Sequence, residues 1–192
     1  MKKRSFLLSA FAIILLSFAT LTPSSWSLDP LHSSLRFSVS SLMISEVEGS
    51  FKMKESTITA QKEDFSDAVV HMVADVNSID TDVEERDTHL KSADFFDAAK
   101  YPTIIFKSTS FEKQNDKKYK VTGDLTFHGI TKQIILEAIA NYGTHPMSKK
   151  DLAGFKVTGT IKRSDFGIAA STPAAMLGDE VNITANAQFA KN

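Results

Sequence analysis

Apolar and polar residues alternate along most of the chain after residue 34. Leu35, Phe37 and Val39 alternate with small or charged residues, a period of two that predicts a β-strand with one buried and one solvated face. The same alternation recurs in sets made of Val70, Met72, Ala74 and Val76; Ile104 and Phe106; Tyr119, Val121, Leu125 and Phe127; Phe155, Val157 and Ile161; and Val181, Ile183, Ala185, Ala187 and Phe189. This pattern predicts an all-β protein of antiparallel strands.

Short polar breaks connect the predicted strands. Residues 114–117 predict a hairpin between the strands on either side. His128 and Gly129 predict a second tight turn, because Gly129 is free to take a positive φ angle. The longest polar loop is predicted from Asn141 to Gly154. Many strands with short connections favour a closed barrel or a sandwich.

One segment, residues 82–99, departs from the period of two. Thr81 followed by Glu84 is a capping-box pattern, which predicts a helix from Asp82 to Lys91. Two ion pairs at i,i+4 spacing support this helix, Asp82 with Arg86 and Asp87 with Lys91. A second short turn is predicted after Ser92, where Phe95 and Phe96 supply an apolar edge. The segment is therefore predicted to cover one end of the sheet.

The first 27 residues have the features of a secretory signal peptide. Three basic residues precede an apolar run from Phe6 to Leu21, and a polar stretch follows. Small residues permit cleavage after Ser27, which is favoured, or after Ala19. The sequence thus predicts a signal peptide over residues 1–27, one domain over residues 28–192, and a periplasmic or secreted product.

Charge and composition exclude several classes of function. The formal net charge of −1 falls to −4 without residues 1–27, which carry three basic residues and no acidic ones. A net negative chain without a basic tract does not fit a nucleic-acid-binding protein. The chain has no cysteine, which excludes disulfides, thiolate catalysis and cysteine-ligated metal.

No catalytic or metal-binding motif stands out. Asp165-Phe166-Gly167 resembles a kinase tripeptide, but the accompanying kinase motifs are absent from the sequence, and the favoured interpretation is a strand end with Phe166 packed inward. The five histidines lack metal-ligand spacing. Scattered polar candidates for chemistry are His32, His89 and Asp165. We expect no metal, no cofactor and no enzymatic activity.

Several motifs resemble those of the YceI-like family, in order and over nearly the whole mature chain. They include Arg86-Asp87-Thr88-His89-Leu90-Lys91-Ser92-Ala93-Asp94-Phe95-Phe96-Asp97, Tyr101-Pro102-Thr103-Ile104-Ile105-Phe106, Val121-Thr122-Gly123-Asp124-Leu125-Thr126-Phe127-His128-Gly129 and Arg163-Ser164-Asp165-Phe166-Gly167-Ile168. This resemblance implies a lipocalin-like, eight-stranded antiparallel β-barrel whose apolar pore binds a polyisoprenoid, an isoprenoid quinone or a fatty-acid derivative. Family members often carry a histidine at the position of Ser41, so the head-group preference stays open.

With that fold, the alternating apolar faces become candidate pore residues. The predicted ligand-binding set is Phe37, Val39, Leu42, Phe51, Val70, Met72, Phe95, Phe96, Ile104, Phe106, Leu125, Phe127, Phe155, Phe166 and Met176. Within it, Met176 is the candidate lid at the mouth, since methionine adapts to variable apolar partners.

Three functions remain open at this point. The first is a lipid-binding protein for transport, storage or envelope stress response, with lipid loaded through a transient contact with a membrane or a lipid-donor protein. The second is an enzyme acting on a lipid held in the pore. The third is a ligand-free envelope stress protein with a packed interior. The sequence also leaves open a homodimer.

Overall fold

The computed structural model describes residues 22–192, so most of the predicted signal peptide lies outside the described residues. The elements follow the chain as β1 (Ser24–Ser41), β2 (Ser45–Ala60), β3 (Val69–Asp80), α1 (Glu84–Lys91), β4 (Thr103–Lys113), β5 (Lys118–Phe127), β6 (Ile130–Thr144), β7 (Asp151–Lys162), a 3₁₀-helix (Arg163–Phe166) and β8 (Leu177–Lys191).

The eight strands form one closed antiparallel barrel. Each strand pairs with its neighbour in sequence, and β8 returns to β1 with Leu35 opposite Ala185. Closure removes the free sheet edges that an open sheet would expose. The predicted fold class, an all-β eight-stranded barrel with a short helical segment, is confirmed.

Alternation along each strand decides which side chains enter the barrel. In β5, Val121, Leu125 and Phe127 are buried, whereas Lys118 and Lys120 are exposed. The hairpin across residues 114–117 is confirmed. The tight turn at His128 and Gly129 is also confirmed, with φ angles of 51° and 75°.

The two ends of the barrel differ. At one end, here called the closed end, the β2–β3 loop (61–68) folds inward and buries Phe65, whose ring lies 5.2 Å from that of Trp26 and 5.6 Å from that of Phe155. At the other end, here called the mouth, lie the β1–β2 turn, α1 and the connection between β7 and β8. Aromatic packing thus seals the closed end, whereas α1 and loops surround the mouth.

The helix is shorter than predicted and begins differently. It starts at Glu84, because Asp82 has a φ angle of 61° and Val83 is extended. The predicted capping box does not form: the backbone N–H and hydroxyl of Thr81 donate to the Asp87 carboxylate at 2.9 and 2.6 Å. Among the residues described, neither predicted helical ion pair occurs, since Arg86 donates instead to Thr81.

The long loop predicted from Asn141 to Gly154 is wrong. β6 continues to Thr144 and β7 begins at Asp151, so only residues 145–150 form a loop. The extension is paired along its length, and the Tyr142 ring stacks on Phe65 at 5.5 Å. That packing anchors the hairpin to the closed end.

No helix of the described part is long and apolar enough to cross a membrane.

Candidate ligand-binding cavity

The barrel encloses a cavity of about 470 Å³. Its wall consists almost entirely of hydrocarbon side chains from the inward faces of the strands. Of the predicted pore residues, the cavity is lined by Phe37, Val39, Phe51, Val70, Met72, Phe95, Phe96, Ile104, Phe106, Leu125, Phe127 and Phe155. Elements that are far apart in sequence therefore contribute to one apolar chamber.

Three predicted pore residues lie outside this wall. Leu42 and Met176 are 58% and 57% exposed, and the backbone N–H of Leu42 donates to the Met176 carbonyl at 3.0 Å. Their side chains face solvent at the rim, and Leu177, the next residue, lines the cavity instead. Phe166 is buried as predicted, but it packs behind the wall, with its ring 6.2 Å from that of Phe127.

Four phenylalanine rings form the wall next to the mouth. The ring of Phe96 lies 5.2 Å from that of Phe127 and 5.9 Å from that of Phe51, and Phe37 lies 5.5 Å from Phe51. Phe37, Phe51 and Phe127 lie on β1, β2 and β5, and Phe96 lies in the segment after α1. The backbone N–H of Phe96 donates to the carbonyl of Leu90 at 3.0 Å, which fixes the segment after α1 over the opening.

Sequence reasoning missed several wall residues. β8 contributes Val181, Ile183, Ala185, Ala187 and Phe189. Alternation predicts that these residues share one face but does not assign them to the pore. On β2 the wall includes Met53, Ser56 and Ile58. An irregular pairing between Met53 and Glu55 breaks the period of two there, so alternation alone could not have placed Ser56 inside.

Arg163 is a buried cation at the mouth and is only 5% exposed. Its five N–H groups all donate to backbone carbonyls, namely those of Gly178, Ile168, Ala169, Thr172 and Leu177. A guanidinium has five N–H donors, so every donor is used. Arg163 thereby holds the connection between β7 and β8 in place beside the cavity.

The carboxylate of Asp179 lies next to this connection. It accepts hydrogen bonds from the hydroxyl and the backbone N–H of Ser164 at 2.9 and 3.1 Å. The hydrogen bond from the Ser164 side chain is the main reason that the pKa of Asp179 lies below its ordinary value. The carboxylate stays ionised and ties the 3₁₀-helix to β8.

The polar candidates for chemistry do not converge. His32 lies on β1 and contacts the Asp29 carboxylate at 2.7 Å, an interaction that lowers the pKa of Asp29. His89 lies on α1 at the cavity opening, with its ring 4.9 Å from that of Phe95. Asp165 is exposed on the 3₁₀-helix. Within residues 22–192, no group of three or more histidine or acidic side chains is arranged to hold a metal ion.

The sequence of this chain is similar to those of known proteins. The family model described as "YceI-like domain" matches residues 26–189. Protein YceI of Escherichia coli O157:H7 is 37% identical over 169 residues, which cover 86% of this chain and 87% of the relative.

Solved structures share the architecture. The crystal structure of Burkholderia cenocepacia BcnA has a TM-score of 0.72 and 23% identity, covering 84% of this chain and 98% of that protein. A polyisoprenoid binding domain from Saccharophagus degradans has a TM-score of 0.65 and 16% identity, covering 87% and 98%. At these identities the likeness concerns the fold, whereas the family model spans the whole barrel. The chain therefore belongs to the YceI-like family.

Proposed function

We propose that this protein binds one long-chain amphiphile, with the apolar chain inside the barrel, and carries or stores it outside the cytoplasm. The observation that supports this most directly is the apolar cavity of about 470 Å³, which lies within the usual size range of ligand pockets. An eight-stranded barrel is just wide enough to hold one such ligand. Each buried CH₂ group contributes about 0.8 kcal/mol before ordering costs.

An isoprenoid is the ligand class that we propose first. A structural relative is described as a polyisoprenoid binding domain, and the many rings in the wall suit a branched, unsaturated chain. An isoprenoid quinone or a fatty-acid derivative would use the same wall, because apolar burial is not directional. The ligand-free alternative predicts a packed interior, and the open cavity argues against it. An enzyme would need convergent polar groups in the pore, but of His32, His89 and Asp165 only His89 lines the cavity.

The test is native mass spectrometry of the protein purified from its own cell envelope without detergent, followed by solvent extraction. We expect one lipid per protein and an isoprenoid or other long chain in the extract. A mass without any adduct, together with no uptake of added lipids, would contradict the proposal.

The same spectrum would define the mature N terminus. Trp26 is 7% exposed and packs on Phe65 at 5.2 Å, and the hydroxyl of Ser24 donates to the carbonyl of Ala60 at 2.9 Å. Cleavage after Ser27 would remove both contacts. We therefore propose that a signal peptide is removed after Ala19, and that the exported domain begins before residue 24. An intact mass that begins at residue 28 would overturn this.

We further propose that lipid enters through a transient membrane contact at the mouth. The β1–β2 turn presents Leu42, Met43 and Ile44, which are 58, 75 and 84% exposed. Residues 80–97 beside it carry seven acidic and two basic side chains. Such a rim is repelled by anionic lipid, which keeps the contact brief.

Exchange of a bound fluorescent fatty acid with vesicles tests this contact. We expect faster exchange with phosphatidylcholine vesicles than with phosphatidylglycerol-rich ones, and several-fold slower exchange for Met43→Asp. Met147 is 86% exposed in the loop at the closed end, so Met147→Asp is the matched control. Equal rates for the two variants would contradict a membrane contact at the turn and favour a lipid-donor protein or a homodimer as its partner.

A further inference from the structure

Ser56 places a hydroxyl group in a wall that is otherwise hydrocarbon. The residue is 4% exposed and lines the cavity. Its Oγ has no hydrogen-bond partner, and among residues 22–192 it is the only buried side-chain nitrogen or oxygen atom in that condition. Buried polar groups are nearly always paired, so this hydroxyl requires an explanation.

A β-bulge turns Ser56 toward the interior. On β2, Met53 pairs with Ala74 and Glu55 with Val73, so one extra residue stands between them. If the strand were regular, a period of two from Met53 would direct Glu55 inward. Because of the bulge, Glu55 stays exposed, and Ser56 and then Ile58 enter the cavity. Bulges commonly redirect a side chain at a functional site.

No donor or acceptor within residues 22–192 forms a hydrogen bond with this hydroxyl. Ser56 lies opposite Met72 on β3, and Met72 lies opposite Phe106 on β4. The other polar residues around the cavity are Ser41, Arg86, His89 and Arg163 at the mouth and Arg36, whose side chain is exposed. An isolated water needs two to four polar partners, and this part of the wall supplies one.

We propose that Ser56 binds an oxygen atom of the ligand inside the barrel. The proposal rests on the proposed function and adds to it a ligand class: an amphiphile that delivers a hydroxyl, carbonyl or carboxylate oxygen to the interior. The oxygen has two possible sources. It belongs either to the chain, at its middle or far end, with the head group at the mouth, or to a head group that enters first.

The test compares three probes, octadecanoic acid and its 12-hydroxy and 18-hydroxy derivatives, by calorimetry with the unsubstituted protein and with Ser56→Ala. One neutral hydrogen bond corresponds to about a three- to tenfold change in Kd. Thr57→Ala, on the exposed face of the same strand, is the matched control. Ser56→Ala removes an unpaired hydroxyl, so we expect an unchanged or higher melting temperature.

The outcomes separate the two sources. If one hydroxy acid binds more tightly than octadecanoic acid and Ser56→Ala removes that preference, the oxygen belongs to the chain. If Ser56→Ala weakens the binding of all three probes equally, the oxygen belongs to the carboxylate head group, which enters first. Equal affinities of both proteins for every probe would overturn the role of Ser56 while leaving the proposed function intact. Failure of the unsubstituted protein to bind any probe would overturn both.

Discussion

The phenolic oxygens of Tyr119 and Tyr142 lie 3.0 Å apart at the closed end of the barrel. Tyr119 is 2% exposed and donates to the carbonyl of Asp64 at 2.7 Å, so the proton between the two rings comes from Tyr142. The pair connects β5 and β6 to the loop that carries Phe65. Hydrogen bonds as well as aromatic packing therefore hold this end of the barrel closed.

Tyr119→Phe should weaken this seal. The substitution leaves the Asp64 carbonyl and the Tyr142 hydroxyl without their partner, at a cost of about 1–2 kcal/mol in the free energy of unfolding. Tyr142→Phe removes one hydrogen bond from a half-exposed ring, so we expect a cost of about 0.5 kcal/mol. Urea denaturation of both variants checks the order. A larger loss of stability for Tyr142→Phe would contradict this order and would mean that the Tyr142 hydroxyl contributes more to the seal than the Tyr119 hydroxyl.

The same pair predicts a loss of stability at alkaline pH. Partial burial, together with the hydrogen bond to Tyr119, raises the pKa of Tyr142 above its ordinary value of 10.0. A folded-state pKa above the unfolded one stabilises the fold below pH 10, and this contribution is lost as the pH rises further. The decrease in the urea midpoint from pH 8 to pH 11 should be smaller for Tyr142→Phe than for the unsubstituted protein. Equal decreases would place the alkaline sensitivity elsewhere.

Gly123 makes room for the ring of Phe106. A Cβ atom at residue 123 would lie 2.5 Å from the carbonyl oxygen of Lys107 and closer still to the Phe106 ring. Gly123→Ala must displace backbone or push the ring into the cavity, so we expect a loss of about 2 kcal/mol. Gly143→Ala is the control, because a Cβ there meets nothing within 4 Å. Thermal melting of the two variants checks the prediction, and similar melting temperatures would contradict it.

Much of the barrel could be predicted from alternation, because a strand with one wet face must repeat every two residues. β5 shows this: its alternating set from Val121 to Phe127 is the inward face. Irregular pairing limits the method. The pairing of β1 with β2 shifts register between Ser27 and Leu35, and the bulge in β2 places Ser56 instead of Glu55 on the inward face. Such shifts depend on the partner strand, which a single strand's sequence does not contain.

Local hydrogen-bond choices at the mouth could not be predicted either. The spacing of Thr81 and Glu84 fits a capping box, yet Thr81 bonds to Asp87 instead. Both arrangements pair the backbone N–H of Thr81 with a carboxylate, so spacing alone does not decide between Glu84 and Asp87. Phe166 illustrates a second limit, since burial was predicted but hydropathy does not distinguish packing behind the wall from facing the cavity.

Arg163 should be the most sensitive position at the mouth. Arg163→Met leaves five carbonyls without their donor, and we expect a loss of about 3 kcal/mol. Arg163→Lys keeps the charge but has only three donors on one nitrogen, so we expect it to lose less stability than Arg163→Met. Urea denaturation provides the measurement. A lysine variant as stable as the unsubstituted protein would show that charge, rather than the geometry of the five bonds, is what matters.

Filling the cavity should abolish binding without unfolding the barrel. Ala185 lines the cavity on β8, and the next residue, Asn186, is exposed on the outer face. Ala185→Phe places a ring where the ligand chain would lie. The cavity gives that ring space, so we expect a change of less than about 1.5 kcal/mol in the free energy of unfolding. Asn186→Phe adds the same ring outside and serves as the matched control.

The two variants should separate binding from folding. We expect Ala185→Phe to raise the Kd of a long-chain probe at least about tenfold, since a displaced chain segment of two CH₂ groups already corresponds to that factor. Asn186→Phe should bind like the unsubstituted protein. Calorimetry with octadecanoic acid, alongside urea denaturation, gives both quantities on one sample. Undiminished binding by a folded Ala185→Phe protein would mean that the ligand lies outside the barrel, most simply against the exposed apolar turn at the mouth.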